Sequence, residues 1–505
     1  MSYSAFRELI ARINDITCSI NLLAWDSRTM MPPGGVDARG HQVETLTAIA
    51  RDLATGDAMR RALDGARDEL ADAPRDDPRH RELAQAGAEI GTLSRIPARI
   101  ISDMAGLKTR AHSAWVAARA ADDFAGYAPL LSRMMEMQRE VSQAIGGGVH
   151  PYDAMIGQFE PGITLADLRT LYDRLKTALV PLIERARAAP QPDAGFLTQP
   201  FPIPAQKAFG LSLARRMGYD LHRGRLDDTV HPFEISFTRD DVRITSRFRE
   251  TWAPGGIFAL WHEVGHAMYE QGVDPAHVRT IFTTDIVNLY AVAGASFGMH
   301  ESQSRMWENR VGRSRIFWDL HFAEFRDHFP DQLRGVGPAD VWRAVNRVDP
   351  GFIRVEADEL TYDMHIILRS EIETALMAGD LAVADLPAAW NERMRDYLGL
   401  SVPNDTLGVL QDVHWSHGYV GSFPTYTIGN IMSSQFFARA KAAPGVAEGL
   451  ASGDYAPLHG WLTQNIYRHG RASSRQETLE RVCGSGLDPA PYIADLTAKV
   501  EALTE

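Results

Sequence analysis

From Ser4 to about Ile183, apolar side chains return every three or four residues, as in Phe6, Leu9, Ile10 and Ile13, or Leu130, Leu131, Met134 and Met135. On a helix of 3.6 residues per turn this spacing gathers them onto one face, so the stretch is predicted to form a series of amphipathic helices. Breakers divide the series at Met31–Gly35, Asp76–Pro78, Gly146–Gly148 and Glu160–Gly162. The segment Ala188–Pro204 carries five prolines and little periodicity, and reads as a surface loop and candidate hinge. Between Thr229 and Phe248 the period changes to two. Phe233, Ile235 and Phe237, then Val242 and Ile244, alternate with polar residues around Thr238–Asp241, as a β-hairpin requires. Helical spacing resumes at Ile257 and continues to the C-terminus, with loops near Gly272, Gly337 and Pro403.

These patterns predict a mainly α protein, a large helical body with one small antiparallel β-hairpin. The expected organisation is a single domain over 1–505, with a helical N-terminal part at about 1–190 and a second part at about 205–505. With 45% hydrophobic and 23% charged residues in 505, the chain can bury a large core. Its formal net charge of −13 argues against a nucleic-acid partner, because phosphate binding depends on clustered Lys and Arg. Cys18 and Cys483, far apart in sequence, offer neither a disulfide framework nor a cysteine metal site. The N-terminal residues alternate charge with apolar positions, unlike an export signal, and no apolar run approaches the ~20 residues of a membrane span. A cytoplasmic location without a membrane partner is the expectation.

The strongest chemical signal is His262-Glu263-Val264-Gly265-His266. Residues four apart lie on one helical face, so both imidazoles can reach one zinc ion, and Glu263 can act as general base for the attacking water. Pro254-Gly255-Gly256 can start such a helix, and Ile257, Phe258, Leu260, Trp261 and Met268 make it largely apolar. Roughly 0.03 such strings are expected by accident in a chain with 17 histidines. A catalytic zinc takes a third protein ligand. Glu301, in His300-Glu301-Ser302-Gln303 after the small residues Ala291–Gly298, is the choice; His300 is the rival, and only one of two neighbours on a helix can face the metal.

Beyond this string, Trp25-Asp26 with Met31–Gly34, His231-Pro232-Phe233, Asp241–Thr245, His300–Gln303, Ile353–Asp358 and Gly408–Trp415 occur in order along the chain. Together they resemble the carboxypeptidase Taq family of metallocarboxypeptidases. The resemblance implies an almost all-helical fold with a deep groove, a small β-sheet beside the active site, and a homodimer. It further implies removal of single residues from peptide C-termini with broad specificity, on a zinc site that cobalt can also occupy. The segment from His414 to Tyr426 is similar to the His/Tyr segment of thimet-type oligopeptidases. By that similarity His414 and Tyr426 bind substrate or the transition state, with Tyr419 as an alternate. A free terminal carboxylate suits a bidentate Arg, and Arg354 is the leading candidate. Arg243 is the second, although in a hairpin a structural bridge to Asp241 or Asp358 competes for it. Glu356 and Asp358 are expected to be structural partners.

Overall fold

The opening helical pattern forms one long helix, Tyr3–Thr29, begun by Ser2, whose hydroxyl accepts from the Ala5 N–H. It stops ahead of Pro32-Pro33, where a short 3-10 turn at Pro33–Gly35 leads into helix Val36–Thr55. Pro78 opens helix Pro78–Arg95, and Gly146, at φ +67°, closes helix Phe124–Ile145. The structure, a computed structural model, describes residues 2–504, the side chains of Ser102 and Ala105 excepted. Met1 and Glu505, the ends of the expected 1–505 domain, lie outside the described residues. Among the described residues no helix is long and apolar enough to cross a membrane.

The chain forms two compact units, each assembled from three separate segments. Met1–Ser94, Asp193–Val345 and Met432–Asp488 make the first; Arg95–Pro192, Asn346–Ile431 and Pro489–Glu505 make the second. The proline-rich Ala188–Pro204 segment contains one of the switches, between Pro192 and Asp193.

In the first unit the expected hairpin is present as β2, Glu234–Thr238, antiparallel to β3, Asp241–Ser246. A strand absent from the sequence reading, β1 at Gly224–Asp228, adds to β3 in parallel, so the sheet order is β1-β3-β2 and the sheet is mixed. The first helix buries a polar stripe against this region. Asn21 donates to the Ser236 and Ala291 carbonyls at 2.9 Å each, and Asn14 donates to Thr283 O and Thr284 Oγ1. Each contact satisfies a buried backbone or hydroxyl group at no charge cost. Helix Ala253–Gly272 runs through the core of this unit, with Phe258 and Trp261 packed edge-on against each other and against Trp318 and Phe317 respectively.

The second unit is organised around helix Tyr362–Ala378, which is buried along most of its length. Two of its carboxylates pin neighbouring segments. Asp363 accepts from Thr427, Asn430 and Tyr492, and Glu373 accepts from Tyr152 Oη (2.6 Å), Trp415 Nε1 (2.8 Å) and Gly421 N (2.9 Å).

Candidate active site

Helix Ala253–Gly272 starts with Pro254 in its first turn and carries His262, Glu263 and His266. Helix Phe297–Arg305, capped by the Ser296 hydroxyl, lies against it and carries Glu301. The two backbones meet at Gly265, where an added Cβ would fall 2.5 Å from Gln303 O and from Ser304 Cα. Only glycine permits that approach, and it is what brings Glu301 to the histidines.

Glu301 Oε2 lies 3.5 Å from His262 Nε2 and 3.4 Å from His266 Nε2. Ligands about 2.0–2.1 Å from a tetrahedral zinc are separated by about 3.3–3.4 Å, so this triad has the dimensions of a metal site. His262, His266 and Glu301 are also the one group of potential ligands that converges in this way among the described residues. The other Glu301 oxygen, Oε1, accepts from Arg305 Nε at 2.6 Å. Burial raises the Glu301 carboxyl, but Arg305 and the two imidazoles outweigh it and hold the group far below the usual carboxylate range. Glu301 is therefore ready as an anionic ligand. Burial pushes His266 down to about 3, so its ring is neutral and can offer Nε2 to a cation.

The outer nitrogens of both histidines have partners. His262 Nδ1 lies 2.9 Å from Glu308, itself held at about 2, against its burial, chiefly by Arg305. Glu308 sits on a π-helical segment, Met306–Gly312, that continues the Glu301 helix. Such segments commonly occur at functional sites. His266 Nδ1 lies 2.5 Å from His300 Nδ1, which places His300, the rival ligand, behind the site instead of in it. Glu263 is buried, accepts from the backbone N–H of Glu234, and is raised to about 7 by burial, an effect that His262 partly opposes. A carboxylate so placed binds a proton readily at neutral pH.

The sequence reading missed Glu308 and Glu270. Both had a positional signal, Glu270 lying one turn beyond His266 and Glu308 seven residues beyond Glu301.

The remaining candidates have varied surroundings. In the second unit His414, Tyr426 and Arg354 lie together: His414 Nε2 is 3.3 Å from Tyr426 Oη, and the Arg354 guanidinium lies 5.3 Å from the Tyr426 ring centre. Arg354 donates to Asp412 through Nε and Nη2 and to Tyr362 Oη through Nη1. Asp412 is shared with the fully buried Arg369, so two guanidiniums face one carboxylate. Tyr419 is 48% exposed, against Phe159 and His417, outside that cluster. Arg243, in the first unit, forms the bridge to Asp241 (2.9 Å through both Nε and Nη2) and covers the Trp25 and Phe237 rings. Asp358 is structural, accepting from the N–H groups of Asp349, Leu360 and Thr361.

A mainly helical protein with two histidines one turn apart, a downstream glutamate at ligand distance and a buried glutamate beside the first histidine defines an HExxH metallopeptidase of the two-His, one-Glu kind. Comparison with known proteins narrows the class. The family model described as carboxypeptidase Taq (M32) metallopeptidase matches residues 5–500. "Thermostable carboxypeptidase 1" of Thermus thermophilus is 39% identical over 499 residues, 95% of each chain. "Carboxypeptidase 1" of Bacillus subtilis is 35% identical over 500 residues, 99% of this chain and 98% of that protein. The crystal structure of the M32 carboxypeptidase from Deinococcus radiodurans superposes with a TM-score of 0.93 at 39% identity, covering 99% of both chains. The chain belongs to the carboxypeptidase Taq (M32) family of metallocarboxypeptidases.

Proposed function

We propose that the protein is a zinc carboxypeptidase that removes single residues of broad identity from the C-termini of peptides. The triad of His262, His266 and Glu301, with ligand separations of 3.4 and 3.5 Å to Glu301, carries this reading. Two imidazoles and one carboxylate suit zinc, and Co2+ accepts the same donors. A divalent ion held there supplies Lewis-acid polarisation of the scissile carbonyl and lowers the pKa of water. Glu263, adjacent to His262, takes the proton from the attacking water and later delivers it to the leaving amine. Its burial beside His262 places the carboxylate where that proton must pass.

His414 and Tyr426 are proposed to donate hydrogen bonds to the substrate or to the oxyanion, with Tyr419 as the alternate phenol. Arg354 is proposed to bind the terminal carboxylate. Its cluster supports this, because Arg354 and Arg369 together outweigh the single negative charge of Asp412. Arg243 is the second candidate for that role, and since its fork lies on Asp241, bracing of the hairpin competes for it. A cytoplasmic homodimer is part of the proposal, testable by fractionation and light scattering. The activity itself is tested with N-blocked peptides, free or amidated at the C-terminus and varied in the last residue, followed by mass analysis. Stepwise loss of single residues from the free acids alone is the expected result. Internal cleavage of both forms at equal rates would replace this reading with an endo-acting oligopeptidase.

A further inference from the structure

The two imidazoles of the triad are backed by different chemistry. Each turns Nε2 toward Glu301, so a ring that ligates through Nε2 carries its remaining proton on Nδ1. For His262 that proton meets the carboxylate of Glu308. For His266 it meets Nδ1 of His300, 2.5 Å away. Two N–H groups cannot point at each other across that distance, so Nδ1 of His300 is the acceptor and its own proton sits on Nε2. Nε2 of His300 lies 2.8 Å from Glu270 Oε1, which accepts it.

We propose that Glu270, acting through His300, is a positioning residue for the metal ligand His266. The relay runs from carboxylate to imidazole to ligating imidazole, and every proton in it has one donor and one acceptor. The surroundings fix each member. Glu270 is 4% exposed, and its oxygens also accept from Ser236 Oγ at 2.9 Å and from Ala293 N at 2.9 and 3.2 Å. The His300 ring stacks on Tyr269 at 5.5 Å, and Gly294 closes against it so tightly that an added Cβ would lie 2.6 Å from Cδ2. A ring held on these sides cannot swing away from His266.

The proposal rests on His262, His266 and Glu301 holding the metal, and its test keeps the two apart. Zn2+ dissociation constants are measured by chelator competition on the full chain. Glu270→Gln leaves one accepting oxygen for three donors, and its affinity for Zn2+ is expected to fall by roughly 10–100-fold. His300→Ala should fall similarly, and the double variant should bind no more weakly than His300→Ala alone, because Glu270 reaches the metal only through that ring. A merely structural role, through Ser236 and Ala293, predicts the opposite: a lower melting temperature of the metal-free protein, and losses that multiply in the double variant. An unchanged Zn2+ affinity in folded Glu270→Gln, or multiplying losses, overturns the relay alone. An unchanged affinity in Glu301→Ala overturns the ligand set and the relay together. Neutron diffraction of the zinc-loaded native chain decides the matter even where a variant fails to fold. Hydrogen on Nδ1 of His266 and Nε2 of His300 supports the relay, and hydrogen on Nδ1 of His300 refutes it.

Discussion

Replacing Gly265 by alanine should cost metal affinity even though the residue touches neither metal nor substrate. The new Cβ would lie 2.5 Å from the Gln303 carbonyl oxygen and the Ser304 Cα, where ordinary contact begins at 3.4 Å. One or both helices must therefore recede by 0.9 Å (3.4 − 2.5) at the point of contact. The obstructing atoms are backbone, so no side chain can swing aside. Alanine gains about 0.5–1 kcal/mol of helix propensity over glycine, but overpacking a core costs about 1–3 kcal/mol, so the clash outweighs the gain. The more informative loss is geometric. Glu301 sits two residues before Gln303 on the displaced helix, and its separations of 3.4 and 3.5 Å from the histidines would lengthen toward values no single zinc ion spans well. A misplacement of about 1 Å can lower turnover about 100-fold. Circular dichroism, zinc content after dialysis and turnover of a blocked peptide should be measured on one preparation. A Gly265→Ala variant that is folded, fully loaded and within twofold of native turnover would refute the claim that this helix contact sets the ligand geometry.

Glu263→Gln should keep the metal and lose about 10²–10⁴-fold in turnover, read by zinc analysis beside peptide hydrolysis; near-native turnover removes the base assignment. Removing the ligand in Glu301→Ala should deplete zinc more than His300→Ala does, since the latter breaks only the relay behind His266; the reverse ranking in metal titrations would make His300 the ligand. Arg354→Ala should slow free-acid peptides more than amidated ones, and an unaltered ratio of the two rates, in a folded and loaded variant, rules out carboxylate recognition by Arg354. Burial raises Glu373 from 4.5 to about 7 despite its three donors, so the folded state holds that proton more tightly than the unfolded chain does. Its contribution to stability is fully present below about 4.5 and is lost as pH rises to about 7, by about 3 kcal/mol at most. Denaturant titrations should find the stability of Glu373→Gln, relative to native, improving across that range, and a constant difference would contradict the raised proton affinity.

What the sequence disclosed depended on whether a feature was periodic or local. Apolar spacing is a local property, so the helices, their breakers at Pro32, Pro78 and Gly146, and the hairpin at Phe233–Ile244 were all legible. The two histidines proposed to hold the metal were equally legible, being one turn apart. β1 was not, because Gly224-Arg225-Leu226-Asp227-Asp228 has a single apolar residue and joins β3 by backbone pairing that leaves no apolar alternation. The relay behind His266 was hidden for another reason. Glu270 and His300 are ordinary residues until two helices converge at Gly265, and no spacing in one helix reports a contact with another. Of the crossings between the two units, only the one at Pro192–Asp193 was marked, by the prolines of Ala188–Pro204; the others carry no such shift in composition.

That repeated passage also sets the timing of the protein's birth. The first unit needs residues from Met1–Ser94 and from Met432–Asp488, so it cannot close until the second of these segments has left the ribosome. At about 5–20 residues per second, the interval between the emergence of these two segments is roughly 20–70 s. Throughout the early part of that wait the first helix has no strands for Asn14 and Asn21 to meet, since their carbonyl partners lie 215 to 270 positions downstream. Until then the helix can pack only on the elements that follow it directly, helices Val36–Thr55 and Asp57–Glu69. The polar stripe of the first helix is thus completed late, by strands made long after it, and the unit closes last where the chain returns to it at Met432–Asp488.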